Sequence, residues 1–369
     1  MKKYILLLLV LLGGMIYGIL VGRYGYFPFS VLKNVQDSYQ GEEKRAPHNF
    51  SKPDIQKLIS VNRGNIDSIR MVLTDLIFDT TVIPASLPDT VYAITDVQYT
   101  ELDNLESMDC FEVRMKYGIN SKGYIFHPKQ SNDRLLIYHE GHKGDFINGK
   151  NAIARFLKAG FTVYAFSMPL MGKNNQPTIF LDKLGEIYLG DHELMRFLHY
   201  PLQYFLTPVI TMLNYASDKK FKDISMIGLS GGGWTTTLAA AIDPRINYSF
   251  PVAGTSPMYI RFRKLDKSYG DFEQIYEAVY SKVDYLDMYI MGSAGEKRLQ
   301  LQILNKFDPC CFDGDEYKEY EAISSDNVKK VQQGNFSVYL DTLNKDHGIS
   351  DAALDEVSKK LNSSLPAMH

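Results

Sequence analysis

The chain has 369 residues, of which 45% are hydrophobic and 22% charged, and its formal net charge at pH 7 is −3. This length and composition are typical of a chain that buries one large core. The small net charge, and a sequence without a basic stripe or a glycine-rich phosphate loop, argue against nucleic-acid binding.

The amino terminus carries a long apolar run. Lys2 and Lys3 precede residues 4–21, which contain no charge, and Arg23 follows the run. As a helix rising about 1.5 Å per residue, the run would be roughly 27 Å long, close to the thickness of a bilayer core. Because no clear small-x-small cleavage site follows, residues 1–22 are predicted to be a membrane anchor, with a cleaved signal segment as the alternative. The two lysines favour a main domain outside the cytoplasm, either anchored or, after cleavage, secreted.

The next region, residues 23–88, is predicted to be a juxtamembrane linker followed by a mostly helical pre-segment. Residues 89–369 are predicted to form one domain, whose sheet opens with a hairpin at 110–117 and 123–127.

Strands and helices alternate after this hairpin. Such alternation predicts right-handed crossovers and an α/β domain with a mainly parallel sheet flanked by helices. The predicted strands are 134–139, 161–167, 223–228, 247–253, 298–304 and 335–340, and the predicted helices are 149–159, 192–217 and 232–242.

A segment rich in tyrosine and methionine, residues 257–295, interrupts the alternation. We interpret it as a cap-like insertion, in which most of the aromatic residues are favoured to form the buried stripe of a helix. The alternative is that these aromatic side chains line a pocket.

The most informative motif is the run from Gly228 to Gly233, Gly-Leu-Ser-Gly-Gly-Gly, between a predicted strand and a predicted helix. A serine on such a sharp turn is exposed as a nucleophile, and glycines on either side allow the close backbone approach that the turn requires. Ser230 is therefore the predicted nucleophile.

Two further residues have the positions that a catalytic triad requires. Asp308 follows the predicted strand 298–304, and His347 follows the strand 335–340. The chain order serine, aspartate, histidine is that of the α/β-hydrolase triad. We predict that His347 is the general base and acid and that Asp308 orients its imidazole, with Glu296, Asp313 and Asp315 as less well placed acids.

On these motifs, residues 110–360 resemble the α/β-hydrolase superfamily, and more narrowly its dienelactone hydrolase and acetyl-xylan esterase-like branch. The resemblance implies the α/β-hydrolase fold and hydrolysis of carboxylic esters through an acyl-enzyme, without a metal or organic cofactor. It suggests O-acyl groups, such as acetyl, on an extracytoplasmic carbohydrate as the substrate.

The fold also predicts the donors of an oxyanion hole. One is the amide of Gly231, the residue after the nucleophile, and the second lies in the loop after an early strand, at Gly141 or His142. Glu140 stands where the commoner His-Gly-Gly-Gly run has a glycine.

The histidines allow a second interpretation. His139, His142 and Asp145 offer ligand types that suit zinc, although the segment lacks the helical His-Glu-x-x-His pattern, and a structural role is favoured. Asp191, His192 and His199 are predicted to form a helix cap or a solvated face, with a place at the pocket as the alternative.

The three cysteines are too few for a disulfide framework. A bridge from Cys110 to Cys310 or Cys311 and free buried thiols are both open, and a nucleophilic cysteine is disfavoured. Two other functions also stay open on the same fold: a serine peptidase or amidase, and a non-catalytic surface binding protein.

Overall fold

The computed structural model describes residues 2–24, 51–142, 144–263 and 268–363. It divides into two compact units, Met1–Asn49 and Phe50–His369. In the first unit, Lys2–Tyr24 form helix α1. Within the described ranges no helix is long and apolar enough to span a bilayer, so the predicted membrane anchor at residues 1–22 is not supported. Most of the predicted linker, residues 25–50, lies outside the described residues.

The described strands of the second unit are β1 (Thr90–Ile94), β2 (Leu105–Arg114), β3 (Asn120–Pro128), β4 (Leu135–His139), β5 (Thr162–Phe166), β6 (Thr178–Leu181), β7 (Gly185–Tyr188), β8 (Ile224–Leu229), β9 (Tyr248–Val252), β10 (Leu299–Asn305) and β11 (Asn335–Asp341). Nine of them form one sheet with the order β1-β2-β3-β5-β4-β8-β9-β10-β11. A separate two-stranded hairpin, β6-β7, lies outside this sheet.

The sheet has an antiparallel edge and a parallel centre. Strands β1, β2, β3 and β5 pair antiparallel, whereas β5, β4, β8, β9, β10 and β11 pair parallel. The predicted mainly parallel sheet is therefore confirmed. The predictions missed β1, because its side chains are exposed or half-buried and its sequence shows no alternation of apolar and polar residues.

Helices cover both faces of the sheet and bury two apolar clusters. The described helices are α2 (Lys52–Leu58), α3 (Ile66–Phe78), α4 (Lys150–Lys158), α5 (Gln203–Ser217), α6 (Gly231–Ile242), α7 (Met258–Arg261), α8 (Glu277–Tyr280), α9 (Tyr285–Ser293), α10 (Glu321–Val331) and α11 (Asp351–Ser363). Helices α4 and α11 pack on one face, and α3, α5, α6, α9 and α10 contribute to the cluster on the other.

One predicted helix is wrong in its extent. The sequence predicts a helix over 192–217, but only Gln203–Ser217 is α-helical, and His192–Phe197 is a separate 3₁₀ helix. Pro201 lies between them and has no amide hydrogen to donate, and its ring disfavours helical backbone at the residue before it. Tyr200 has a φ of 49°, outside the right-handed helical region.

The tyrosine-rich segment 257–295 contributes mainly to the core. Every residue of α9 is buried, and Tyr259, Phe272 and Tyr280 are buried with it. Phe262 and Tyr269 are exceptions, since both are exposed. Most of these aromatic residues are therefore buried, as the favoured interpretation of a buried stripe predicts.

The strand order creates a crevice at one edge of the sheet. After β5 the chain crosses to the other side of β4 and continues with β8. In open α/β sheets, ligands bind where the strand order reverses in this way, at the carboxyl ends of the strands. The loops that follow β4, β8, β10 and β11 all begin at this edge, and they carry every predicted catalytic residue.

Candidate active site

Ser230 occupies a strained turn between β8 and α6. Its φ is 55° and its ψ is −120°, a backbone conformation that residues other than glycine rarely adopt. A Cβ on Gly228 would lie 2.2 Å from the carbonyl oxygen of Gly232, and a Cβ on Gly232 would lie 2.1 Å from that of His139. Only glycine fits at these two positions, which is the geometry that the Gly-x-Ser-x-Gly motif predicts.

Asp308 and His347 meet at the same edge of the sheet. The Nδ1 atom of His347 lies 2.7 Å from Oδ2 of Asp308, and both side chains are buried. The other carboxylate oxygen of Asp308 accepts hydrogen bonds from the amides of Cys310 and Cys311, at 2.8 and 3.3 Å. Burial opposes the charge of Asp308, but the imidazole and the two amides outweigh it and lower the pKa of the carboxyl.

The loop that carries His347 is held by side chains from the ends of two strands. Asn305, the last residue of β10, donates to the carbonyl oxygens of Gly348, at 3.0 Å, and Asp346, at 3.3 Å. Asp341, the last residue of β11, accepts from the amides of Leu343 and Asn344, each at 2.9 Å. Sequence reasoning missed both anchoring residues, although each is the polar residue that directly follows a predicted strand.

The structure does not join all three predicted triad members by hydrogen bonds. The Nε2 atom of His347 is buried and has no hydrogen-bond partner among the described residues, so Ser230 does not bond to it in this structure. The histidine and aspartate are therefore paired, while the serine is held separately by its own turn. Hydrogen bonds of this kind are often long in a ligand-free enzyme and form when substrate binds.

The carboxylate of Glu140 holds the loop after β4 through two hydrogen bonds. Its carboxylate accepts from the amide of Gly141, at 2.9 Å, and from the hydroxyl of Tyr138, at 2.6 Å. The side chain is buried, and burial raises its pKa. Because the Gly141 amide is already bonded to Glu140, it is not a free donor in this structure. Of the two residues predicted to complete an oxyanion hole, this leaves His142.

His142 packs directly beside the serine turn. A Cβ on Gly231 would lie 2.4 Å from Cε1 of this histidine. Its Nε2 atom is 2.8 Å from Glu273 and 2.9 Å from Asp271. Burial disfavours its protonated form, but hydrogen bonds and charge from these two carboxylates outweigh burial and raise the pKa of His142 to about 10.

The zinc interpretation based on His139, His142 and Asp145 does not match the structure. The Nδ1 atom of His139 lies 2.9 Å from the carbonyl oxygen of Glu140, and burial lowers its pKa to about 4. Asp145 instead accepts from the amide of Ile147 and caps a 3₁₀ helix. His139 and Asp145 are therefore engaged locally, as the structural interpretation expects.

The predicted helix-cap and surface residues separate into three environments. Asp191 caps the 3₁₀ helix His192–Phe197 by accepting from the amide of Glu193. His199 is exposed. His192 is buried, and its ring centroid lies 5.1 Å from that of His142, so it does not lie on a solvated face.

Neither of the two alternatives left open for the cysteines describes all three of them. Cys310 and Cys311 form a disulfide with each other, and Cys110 is a buried free cysteine on β2. A bridge from Cys110 to either of them is therefore wrong. The paired cysteines follow Asp308 directly, and their amides, rather than their sulfur atoms, contact its carboxylate.

A cavity of about 490 Å³ opens beside the imidazole. Its walls combine apolar and polar side chains from the loops after β4 and β11 and from two helices, including Glu140, Asn148, Asn151, Leu229, His347 and Leu354. Its volume suits a small ligand.

A mainly parallel sheet, a serine on a strand-to-helix turn and a histidine–aspartate pair on the loops after late strands define the α/β-hydrolase class of fold. No protein-family model matches the sequence, and no curated protein sequence matches it. Solved structures do match.

Among these structures, an acetyl xylan esterase from Paenibacillus sp. R4 has a TM-score of 0.54 and 16% identity, covering 86% of this chain and 100% of its own. Acetyl xylan esterase 1 from Thermoanaerobacterium sp. JW/SL YS485 has a TM-score of 0.53 and 12% identity, with 86% and 100% covered. Methylesterase BT1017 has a TM-score of 0.60 and 14% identity, with 85% of this chain and 66% of its own covered. At these identities the similarity is one of fold, and it confirms the predicted resemblance to the acetyl-xylan esterase-like α/β-hydrolases.

Proposed function

We propose that this protein is a serine hydrolase that cleaves carboxylic esters through an acyl-enzyme. The observation that carries the proposal is the buried His347–Asp308 pair at the same sheet edge as Ser230 on its strained turn. Asp308 holds Nδ1 of the imidazole, so Nε2 is left to exchange a proton with the serine hydroxyl.

In the proposed reaction, Nε2 of His347 takes the hydroxyl proton of Ser230 as the serine oxygen attacks the ester carbonyl carbon. The amides of Gly231 and His142 stabilise the resulting oxyanion. The tetrahedral intermediate collapses when the bond to the alcohol oxygen breaks, and the imidazolium gives its proton to that alcohol. Water, deprotonated by His347, then attacks the acyl-enzyme and releases the acid and the free serine.

For the substrate class we propose O-acyl groups, acetyl in particular, on a carbohydrate. The structural similarity to two acetyl xylan esterases supports this choice. The cavity beside His347 is lined by polar and apolar side chains together, as a sugar ester with a short acyl group would require.

We further propose that the protein acts outside the cytoplasm. The support is in the sequence, where two lysines precede the apolar run at residues 4–21, the pattern of a segment that directs export. Protease treatment of cells that express the full chain, with only the cytoplasmic membrane left intact, tests this location. Degradation of the domain is expected, and protection until the cytoplasmic membrane is lysed would contradict export.

The function is tested by hydrolysis of p-nitrophenyl acetate by the full chain and by its Ser230→Ala variant. Ser281→Ala, which removes an exposed serine, is the matched control. We expect turnover in the wild type and in the control and only background hydrolysis in Ser230→Ala. Equal background rates in all three folded proteins, together with no labelling of Ser230 by a fluorophosphonate, would contradict the proposal and favour a binding protein.

A further inference from the structure

A second group of histidine and carboxylate side chains lies next to the serine turn and has no role in the proposed reaction. It consists of His142, His192, Asp271 and Glu273, which we call the His142 cluster. Its members come from three separate segments: the loop after β4, the 3₁₀ helix His192–Phe197, and the stretch that begins the 3₁₀ helix Phe272–Gln274.

Two buried atoms of the cluster lack a partner among the described residues. Glu273 is 0% exposed, and only one of its carboxylate oxygens is paired, with His142; its Oε2 atom is unpaired. His192 is 3% exposed, and its Nδ1 atom is also unpaired. A buried carboxylate oxygen or imidazole nitrogen without a partner keeps its full desolvation cost, so two such atoms in one cluster favour the binding of a ligand there.

The orientation of His192 identifies the kind of ligand. Its Nε2 atom lies 2.5 Å from the carbonyl oxygen of Pro169. Since a carbonyl oxygen only accepts, Nε2 carries the hydrogen, and in the neutral imidazole Nδ1 presents a lone pair. A backbone carbonyl that holds one ring nitrogen while the other is directed at an ion is the common arrangement of metal-binding histidines.

The donor atoms are also close enough to share one ion. Those of His142, His192 and Glu273 all lie within 4.8 Å of one another. The Nε2 atom of His142 is 2.8 Å from Glu273 and 2.9 Å from Asp271, so a fourth ligand adjoins the three. Two imidazoles and two carboxylates are a donor set that suits Zn²⁺ in tetrahedral coordination.

We propose that the His142 cluster binds a zinc ion through His142, His192 and Glu273, with Asp271 as the fourth ligand. Binding displaces the proton from Nε2 of His142 into solvent, so that a lone pair on this nitrogen faces the ion. The other edge of the His142 ring still lies against Gly231. The ion would therefore connect the loop of the proposed oxyanion hole to the segment around Glu273 and act as a positioning element.

The surroundings are built to hold such an ion. The amide of Phe272 donates to the carboxylate of Glu193 at 3.1 Å, which ties the two 3₁₀ helices together next to His192 and Glu273. The hydroxyl of Tyr280 donates to the carbonyl oxygen of Glu273 at 2.9 Å. The ring of Phe205 packs edge-on against His192, at 5.2 Å between centroids, and limits access of water.

The test uses untagged full-chain protein that has been dialysed against a chelator and then titrated with Zn²⁺. Bound zinc is counted by mass spectrometry after gel filtration, and affinity is measured against a chromophoric chelator. The variants are His192→Gln and Glu273→Gln. The matched control is His199→Gln, an exposed histidine on the same stretch of chain. Ser230→Ala is included to measure zinc binding in a protein that lacks the proposed nucleophile, since zinc binding should not depend on catalysis.

We expect one zinc ion per chain in the wild type, His199→Gln and Ser230→Ala. Each ligand variant should bind at least 100-fold more weakly, beyond the roughly 10–100-fold that loss of an outer-shell partner costs. Should a ligand variant fail to fold, the visible absorption spectrum of the wild type loaded with Co²⁺ still tests the proposal, because tetrahedral coordination by nitrogen and oxygen gives intense absorption. A wild type that retains no zinc, or ligand variants that bind as well as the control, would overturn the proposal, whatever the outcome of the esterase assay.

Discussion

Two histidine–carboxylate pairs flank the serine turn, and they differ in how completely their carboxylates are satisfied. In the pair His347–Asp308, one carboxylate oxygen faces the imidazole and the other accepts from two backbone amides. In the pair His142–Glu273, one oxygen faces the imidazole and the other has no partner among the described residues. Both carboxylates are fully buried.

This difference in the second carboxylate oxygen suggests a different role for each pair: His347–Asp308 as an orienting pair and His142–Glu273 as part of a ligand site. A buried carboxylate with amide donors on its free oxygen is stable without further partners and can hold an imidazole in one orientation. A buried carboxylate with an unpaired oxygen needs something more, which we propose to be zinc. On the proposed roles, the same two residue types would serve two purposes, according to what surrounds the carboxylate.

The largest effect is expected at the orienting pair. Asp308→Asn should lower kcat for p-nitrophenyl acetate by about 10⁴-fold, because the amide no longer stabilises the correct imidazole tautomer and the imidazolium. Asp315→Asn, at an exposed acid on the same loop, should keep wild-type activity. Similar rates in the two variants would show that Asp308 is not the triad acid.

The comparison is tested next through stability, measured by urea unfolding of chelator-treated protein. His142→Leu should lower the free energy of unfolding by roughly 3–5 kcal/mol, because it removes the one ion-pair partner that the fully buried Glu273 has among the described residues. His347→Leu should cost only about 1–2 kcal/mol, because Asp308 keeps its two amide donors.

The double variant His142→Leu/Glu273→Leu sharpens this result. Removing both members of a buried pair is much less costly than removing one, so the double variant should recover most of the lost stability. Equal losses in the two histidine variants, or no recovery in the double variant, would show that the two pairs do not differ as described.

The smallest effect is expected at a carboxylate that has no imidazole at all. Asp284 caps α9 by accepting from the amide of Leu286 at 2.9 Å, and burial raises its pKa to about 6. A raised pKa means that the folded state holds the proton more tightly than the unfolded state does. The stabilisation is complete below the unfolded pKa, near 4, and is lost as the pH rises through about 6.

Asp284→Asn keeps a capping oxygen but cannot ionise. It should therefore be more stable than the wild type at pH 7, by at most about 3 kcal/mol, and this advantage should shrink to nothing near pH 4. Urea unfolding at a series of pH values measures the difference. An advantage that does not change with pH would contradict a shifted carboxylate.

The elements that were predicted well are those with strong local patterns. Buried strands such as 223–228, the helix that follows Ser230, and the chain order of Ser230, Asp308 and His347 can all be read from apolar runs and glycines. The edge strand β1 was missed because it has no buried face, and the helix predicted over 192–217 was too long because Pro201 interrupts it.

The less predictable features depend on contacts between distant parts of the chain. Nothing in the sequence near Glu140 indicates that its carboxylate would occupy the amide of Gly141. His192 lies in a polar segment typical of a surface helix, yet the fold buries it against His142 and Phe205. Cys310 and Cys311 likewise pair with each other, whereas a search for disulfides between distant cysteines would not consider adjacent residues.

By itself, the sequence determined the alternating α/β architecture and the serine turn, because periodic burial and glycine conformations act over a few neighbouring residues. Tertiary structure decided which polar atoms are satisfied. His142, His192 and Glu273 are far apart along the chain and meet only when their segments pack together. Whether a buried carboxylate orients a histidine or requires an ion depends on the donors around its second oxygen, and those donors are supplied by the fold.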